Sequence, residues 1–429
     1  MTDATMTARD DGPAARDDEP AVNSRQKGLS GTLGSYLDRL RGGDVGSLPA
    51  LLGLVVLVGV FSALRPTAFT NAFNFANLIN QSSAVIVIAM GLVFVLLLGE
   101  IDLSAGFTAG TGGAVMGIVV TRQDQPWPLA VAAGIATGAV IGACIGLLVA
   151  RLGIPSFVVT LAAFLGLQGV LLQLIGEGGS IPVRDSTLIA LNNSTLPVWL
   201  GWLLLAAVIA GYALASVRHE QKRRASGLVT AGMQVVLAKA LVLGLLLVAA
   251  TAYLSKERSL NPALTSIKGL PIVVVLLVVL LVGLTFVLQR TAFGRHVYAV
   301  GGNAEAARRS GIDVKRVRLI CFVICSSLAT VAGLLLASRS NGITPSTGGA
   351  ETLLYAVGAA VIGGTSLFGG KGKVSDAVLG GLVIAVIING MGLLNQPAAV
   401  VFMVTGGVLL IAASVDALSR KRATASGRA

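Results

Sequence analysis

The sequence predicts an all-α fold, a polytopic transmembrane helical bundle of about twelve spans with a weak internal repeat of two halves. Three observations predict it. Residues of the AVILMFWYC set make up 54% of the chain and charged residues only 12%, about half the charged share of a typical soluble domain. The apolar residues arrive in long blocks, Leu51–Leu64, Ala84–Leu98, Leu129–Ala150 and Ile272–Leu288. With their weakly polar flanks these reach the roughly 17–25 residues that cross about 30 Å of hydrocarbon as helix. Short alternating strands of the membrane-barrel kind are missing from the pattern, and backbone groups in lipid must pair within their own segment, which leaves helix as the spanning form.

The elements follow in order. Met1 to about Asn23 mixes small residues with Asp10, Asp11, Asp17, Asp18 and Glu19, without an apolar run or a cleavage pattern. Residues 1–45 therefore read as a disordered tail and not a signal peptide. Spans are expected at 46–64, 81–99, 106–121, 128–150, 157–176, 196–215, 233–254, 271–289, 317–337, 353–369, 376–394 and 397–415. Asn71–Asn80 is too short and polar to cross, and reads as an interfacial amphipathic segment leading into the second span.

An even span count places both termini on one side of the membrane. Basic residues gather before Leu51, in Arg218–Arg224, in Arg290–Arg318 and in the tail 417–429. The positive-inside rule makes these segments, and so both termini, cytoplasmic. Opposite loops carry fewer cations: Arg65, Arg122, Arg184, Lys256, Arg258, Lys268 and Arg339. The net charge of +12 thus reads as topology, with anionic membrane lipid and not nucleic acid as its partner.

Two spans differ from simple lipid-facing helices. One carries Gly106, Gly110, Gly112, Gly113 and Gly117; the other carries Gly358, Gly363, Gly364, Gly369 and Gly370. Each follows an apolar span and a polar turn, GEIDLSAG from Gly99 in the first half and SRSNGITPSTGGAE from Ser338 in the second. Small residues allow close helix approach, and interrupted helices line transport sites. Tight packing alone explains the same pattern. Carboxylates near membrane depth usually face a cavity or a partner, so Asp102, Ser104, Glu351, Gly363 and Gly364 are candidates for a translocation path or gate. A helix-cap role for Asp102 or Ser104 competes with the gate reading, and Glu351 suits a helix N-terminus electrostatically.

Catalytic chemistry finds no support. The two histidines, His219 and His296, lie in basic loops, and no paired carboxylates or nucleophile elbow occur. Gly363–Lys373 resembles a phosphate loop only superficially, since Thr365 and Gly372 stand where Gly and Ser or Thr are required. No cofactor or metal is expected, and Cys321 and Cys325, one helical turn apart, read as small apolar packing residues.

The segment Thr291–Val314 is the most informative loop. Asn303 is a good N-cap, Glu305 falls in a first turn, Arg308 and Arg309 in a last turn, and Gly311 is a C-terminal stop. A two-turn helix is marginal alone in water, so it docks on a partner or lies on the membrane surface.

Together GEIDLSAG, GRHVYAVGGNAEAARRSGI and GGAETLLYAVGAAVIGGTSLFGGKG resemble the permease family of ribose- and xylose-type ABC sugar importers, over roughly Ala72 to Asp416. The resemblance makes 46–416 a transmembrane permease domain in a multi-pass inner-membrane protein, and not an enzyme. It implies that Gly302, Asn303, Ala306, Ala307, Ser310, Gly311 and Ile312 form the coupling helix that seats in a groove of the ATPase subunit. It also implies a homodimer, an ABC ATPase partner and a periplasmic sugar-binding protein, with a pentose, xylose first, as cargo. Departures are the two extra spans expected around 196–254 and Glu100, which stands where Gly is frequent. A branched-chain amino-acid-type permease and an ion-driven secondary carrier are the competing functions.

Overall fold

The computed structural model describes residues 46–176, 178–227, 232–259 and 261–425. The tail expected over 1–45 lies outside them. In chain order the helices are α1 (Leu48–Leu64), α2 (Pro66–Phe69), α3 (Ala72–Leu97), α4 (Ala105–Gly117, continued by a π-turn over Ile118–Arg122), α5 (Trp127–Ala150), α6 (Ser156–Ile175), α7 (Ser186–Asn193) and α8 (Val198–Ala225). They continue with α9 (Met233–Leu254), α10 (Val273–Arg290), α11 (Ala292–Gly302), α12 (Ala304–Arg309), α13 (Val314–Ser340), α14 (Ala350–Gly363), α15 (Val374–Leu393) and α16 (Ala398–Ala425). The strands are two-residue pieces, β1 (Ile181–Pro182) and β2 (Gly342–Ile343), paired antiparallel.

Each of the twelve expected spans holds a helix, but among the described residues nine are long and apolar enough to cross: α3, α5, α6, α8, α9, α10, α13, α15 and α16 up to Val415. The other three fall short for separate reasons. Helix α1 has 17 residues. Helix α4 has 13 before its backbone loosens into the π-turn. Helix α14, expected to reach residue 369, stops after 14 residues at Gly363 because Gly364 adopts φ +118°, a left-handed stop that favours glycine. Asn71–Asn80 is not a separate interfacial segment. Asn71 accepts a hydrogen bond from the Phe73 N–H and starts α3, which runs unbroken for 26 residues.

The described parts of the chain form two units. One, Val208–Leu245, holds the second half of α8 and the first half of α9. Within it Glu220 accepts the Gly232 N–H at 3.1 Å and pairs with Arg224, and Gly244 faces Ile209. The other unit, made of the described residues up to Ala207 and from Leu246 onward, holds the rest.

In the larger unit α3, α15 and α13 form the centre: 83%, 72% and 61% of their most apolar windows are buried, against 28% or less for the remaining candidate spans. The buried helices are surrounded by helices whose Leu, Val and Phe side chains face outward, as lipid contact requires. Glycine brings the central backbones together. On α5, Gly134, Gly138, Gly142 and Gly146 recur every fourth residue along one face. Cβ atoms on the last three would come within 2.5 Å of the Ser326 and Phe322 carbonyls and 2.9 Å of Leu319 on α13. In lipid, where the apolar solvent supplies little drive for helix association, such close van der Waals approach is what holds helices together.

The two Gly-rich segments share an order: a long buried helix, a break, then a short helix. The first is α3, residues 98–104 and α4; the second is α13, residues 341–349 and α14. They also touch. Cβ atoms on Gly106 and Gly110 of α4 would lie 2.3 Å from the carbonyls of Gly349 and Thr347.

Candidate functional site

The break between α3 and α4 is a tightly tied turn. Asp102 is fully buried, and its Oδ1 accepts both the N–H (2.9 Å) and the hydroxyl (2.6 Å) of Ser104, also fully buried. Ser104 stands at the N-cap position of α4, yet its hydroxyl donates back to Asp102 and makes no cap bond. The other oxygen, Oδ2, is buried without a hydrogen-bond partner. The Cys325 thiol of α13 and the Ala105 backbone N–H also bear on this carboxyl, so helix α13 contributes to holding the turn. Helix α6 grips the same turn: the Ile101 N–H donates to Ser156 Oγ at 3.2 Å, and Thr160 Oγ donates to the Ile101 carbonyl at 3.2 Å. From α13, Arg318 Nε stands 3.0 Å from Oε1 of Glu100. That N–H is not aligned for a hydrogen bond, so the contact is an ion pair.

Beside this turn lies the Gly363–Gly372 loop. The Gly370 N–H donates to the Leu97 carbonyl at 2.9 Å, closing the end of α3. Gly363 has no room for a side chain: a Cβ there would sit 1.9 Å from the Asp376 carbonyl at the start of α15. Asp376 in turn accepts the Lys373 N–H at 2.7 Å and so caps α15. Glu351, the remaining gate candidate, is exposed in the first turn of α14. Twelve residues of helix separate it from Gly363, about 18 Å, so the structure brings Asp102 and Ser104 into one neighbourhood with the loop that follows Gly363 and Gly364, and leaves Glu351 apart.

The short helix α12 has the termini its sequence predicts. Asn303 Oδ1 accepts the Ala306 N–H at 2.9 Å, and Gly311, at φ +84°, ends the helix. Glu305 pairs with Arg308 at 2.9 Å and with Arg309 at 3.1 Å, and these two guanidiniums hold its carboxyl below the usual range. Ala307 is buried and Ile312 packs against the core, while Gly302, Asn303, Ala306, Ser310 and Gly311 are exposed. The seven residues thus form one knob: two fasten it, and five small or polar residues face outward. Preceding it, α11 is bonded to the Gly-rich loop. A Cβ on Gly301 would lie 1.8 Å from the Leu97 carbonyl, and the Tyr298 hydroxyl donates to the Gly372 carbonyl at 2.8 Å. Burial raises the pKa of that phenol, which stays a neutral donor.

The family described as branched-chain amino acid transport system / permease component matches residues 74–188 and 185–413. The chain belongs to this family. The xylose transport system permease protein of Escherichia coli K12 is 34% identical over 372 residues, covering 87% of this chain and 92% of the relative. Its counterpart in Haemophilus influenzae is 35% identical over 87% of this chain and 96% of its own length. The ribose import permease protein of Escherichia coli K12 is 30% identical over 86% of this chain and 92% of its own length. No solved structure matches.

Family membership makes the chain a multi-pass membrane component of a transport system, and not an enzyme. Among the described residues no three His, Cys, Asp or Glu side chains gather. Cys321 and Cys325 are fully buried on α13, the latter against Gly91 of α3. Sequence reasoning missed Ser156, Thr160 and Arg318 as supports of the turn, because they are remote in the chain. It also missed the reciprocal amide pair of Asn74 on α3 and Asn389 on α15, at 2.9 and 2.8 Å. One signal was available: the polar run Asn71, Asn74, Asn77, Asn80, continuous with an apolar helix, marks a face that must bury its amides against partners.

Proposed function

We propose that this chain is the membrane-spanning permease subunit of an ATP-driven sugar importer, with a pentose, xylose first, as cargo. The observation that carries the proposal is the α12 knob, whose small and polar residues face outward while its flanking helices reach the end of α3 at Leu97 and the turn after it at Glu100. In this reading the knob of Gly302, Asn303, Ala306, Ala307, Ser310, Gly311 and Ile312 docks on a separate ABC ATPase. A periplasmic binding protein delivers sugar at the opposite face, both termini are cytoplasmic, and two copies enclose the path. Asp102, Ser104, Gly363 and Gly364 belong to the gate; Glu351 serves as a helix-terminal charge. The xylose and ribose permeases among the relatives favour a sugar over a branched-chain amino acid.

An ion-driven carrier is expected to carry acidic groups in the middle of its spans. Here Glu100 and Asp102 sit in a turn between helices.

The test is labelled-xylose uptake into proteoliposomes, with the chain alone and then with its ATPase and binding protein. Uptake that requires both partners and ATP supports the proposal. Uptake by the chain alone on an ion gradient refutes it.

A further inference from the structure

A second polar cluster lies at the other end of α3, far from Leu97, where α3, α7 and α13 meet. Arg339, near the end of α13, is half-buried, and the bond recorded for its guanidinium is a long one, Nη2 to Asn77 Oδ1 at 3.4 Å. Its Nη1 is buried without a partner. Asn192 of α7, 2% exposed, donates from Nδ2 to the Leu335 carbonyl at 3.2 Å and lies 3.5 Å from Ser83 Oγ on α3. The Leu335 carbonyl fixes which end of that amide is the amine, so the atom left unpaired is the oxygen, Oδ1. Between the Arg339 contact at Asn77 and the Asn192 contact at Ser83, one turn from each, stands Asn80, whose Oδ1 is also buried and unpaired. Neighbouring groups hold the junction together. Asn192 N–H donates to Ser338 Oγ at 3.0 Å, and Ser338 Oγ donates to the Ile189 carbonyl at 2.9 Å.

Three orphan polar atoms at one helix junction call for partners from outside the chain, since buried polar groups are paired with protein or water. The pattern has a chemistry. One orphan is a charged donor and two are amide acceptors. An anion would satisfy the guanidinium but be repelled by two oxygens; a metal cation would meet the oxygens but be repelled by Arg339. A neutral hydroxyl both accepts and donates, so adjacent hydroxyls on one ligand satisfy all three groups.

We propose that Asn80, Asn192 and Arg339 form a subsite for a neutral polyhydroxylated ligand, the transported sugar, at the end of the bundle opposite the α12 knob. The proposal deepens the importer reading and rests on it. All three atoms are closed to solvent in this conformation, so the ligand reaches them as the junction opens. It then accepts from Arg339 Nη1 and donates to the two amide oxygens, before it reaches the Asp102 turn.

Asn80→Ala is the decisive variant, because it removes an orphan acceptor and no hydrogen bond recorded for the Asn80 side chain within the chain. Two measurements are made on nanodisc-embedded protein and on the reconstituted transport complex. Equilibrium dialysis of labelled xylose against the permease alone needs neither ATP nor partners. Loss of one hydrogen bond to a sugar hydroxyl is expected to weaken binding by about tenfold. The KM for uptake should rise by a similar factor in Asn80→Ala and further in Arg339→Gln, with the maximal rate within about twofold of wild type. Wild-type KM and dialysis affinity in a folded Asn80→Ala protein would overturn the subsite and assign the orphan atoms to water. So would a wild-type permease that retains no sugar in dialysis. Absence of ATP-driven uptake by the wild-type complex would instead overturn the importer reading, whatever dialysis shows.

Discussion

The Glu100–Arg318 ion pair is the contact most open to quantitative attack. It joins α13, a few residues after the α12 knob, to the turn that holds Asp102. The Glu100 and Arg318 side chains are 14% and 30% exposed, and Nε stands 3.0 Å from the carboxylate. Fully exposed pairs contribute below about 1 kcal/mol, while breaking a fully buried one costs roughly 3–5 kcal/mol. This pair is intermediate in exposure and lacks an aligned hydrogen bond, so its coupling energy should be about 1–2 kcal/mol. The assay is a double-mutant cycle of Glu100→Gln and Arg318→Gln, read from equilibrium unfolding in mixed micelles, with ATP-driven uptake measured on the same proteins. Each single variant should lose about 1–2 kcal/mol, and the double variant little more than either. The charge-swapped protein, Glu100→Arg with Arg318→Glu, should recover part of the loss and part of the uptake. Strictly additive single losses, or a swap that restores nothing, would refute the pair as a link.

Three further outcomes are expected. Gly363→Leu should abolish uptake, because even a Cβ would lie 1.9 Å from the Asp376 carbonyl; an assembled, active variant would show that the start of α15 can yield. Asn303→Ala with Gly311→Val removes an N-cap worth about 1 kcal/mol and forces a β-branched residue to φ +84°, so ATP hydrolysis should continue while uptake falls, and normal uptake would remove α12 from the coupling route. In the loop after α9, Glu257 accepts from the Ser266 hydroxyl and from the Ser259, Ile267 and Arg258 amides, which lower its pKa from 4.5 to about 2. A depressed carboxylate stabilises above its unfolded pKa and loses that contribution as pH falls through its folded one. Amide-exchange protection at Ser259 and Ile267 should therefore persist below pH 4.5 and vanish toward about 2; loss already complete at 4.5 would contradict the network.

Much of the architecture was legible because membrane burial writes itself into composition. A 26-residue helix such as α3 announces its apolar stretch, and α12 announces both ends through Asn303 and Gly311. What composition does not carry is how far a helix extends past its apolar block. Asn74, Asn77 and Asn80 look too polar for a span, yet Asn74 is buried because Asn389, 315 residues away, accepts one of its hydrogen bonds and donates another, and the Phe69 carbonyl takes a third. Pairings of that separation leave no trace in local pattern, and the same holds for Arg318 with Glu100. The α5 ladder Gly134, Gly138, Gly142, Gly146 is the opposite case. Its period of four stands in the sequence, and it specifies a close-packed seam without any long-range knowledge.

The position of these ties bears on how a docked partner would move the gate. Helix α12 sits between two elements that touch the end of α3 or the turn that follows it. Upstream, α11 meets the end of α3 through the Gly301 backbone, against the Leu97 carbonyl, and the neighbouring Gly-rich loop through Tyr298 on the Gly372 carbonyl. Downstream, Asp313 accepts the Arg316 N–H and starts α13, whose Arg318 meets Glu100. The two routes differ in stiffness. A flexible guanidinium can follow a displaced carboxylate by rotamer change, whereas backbone against backbone at Gly301 has no side chain to yield, and packed interiors respond to displacement by switching arrangement instead of stretching. A null result in the Glu100–Arg318 cycle would therefore leave the coupling route intact and assign it to α11. A coupling of about 1–2 kcal/mol, lost together with uptake, would make α13 the element that carries motion from the knob to Asp102.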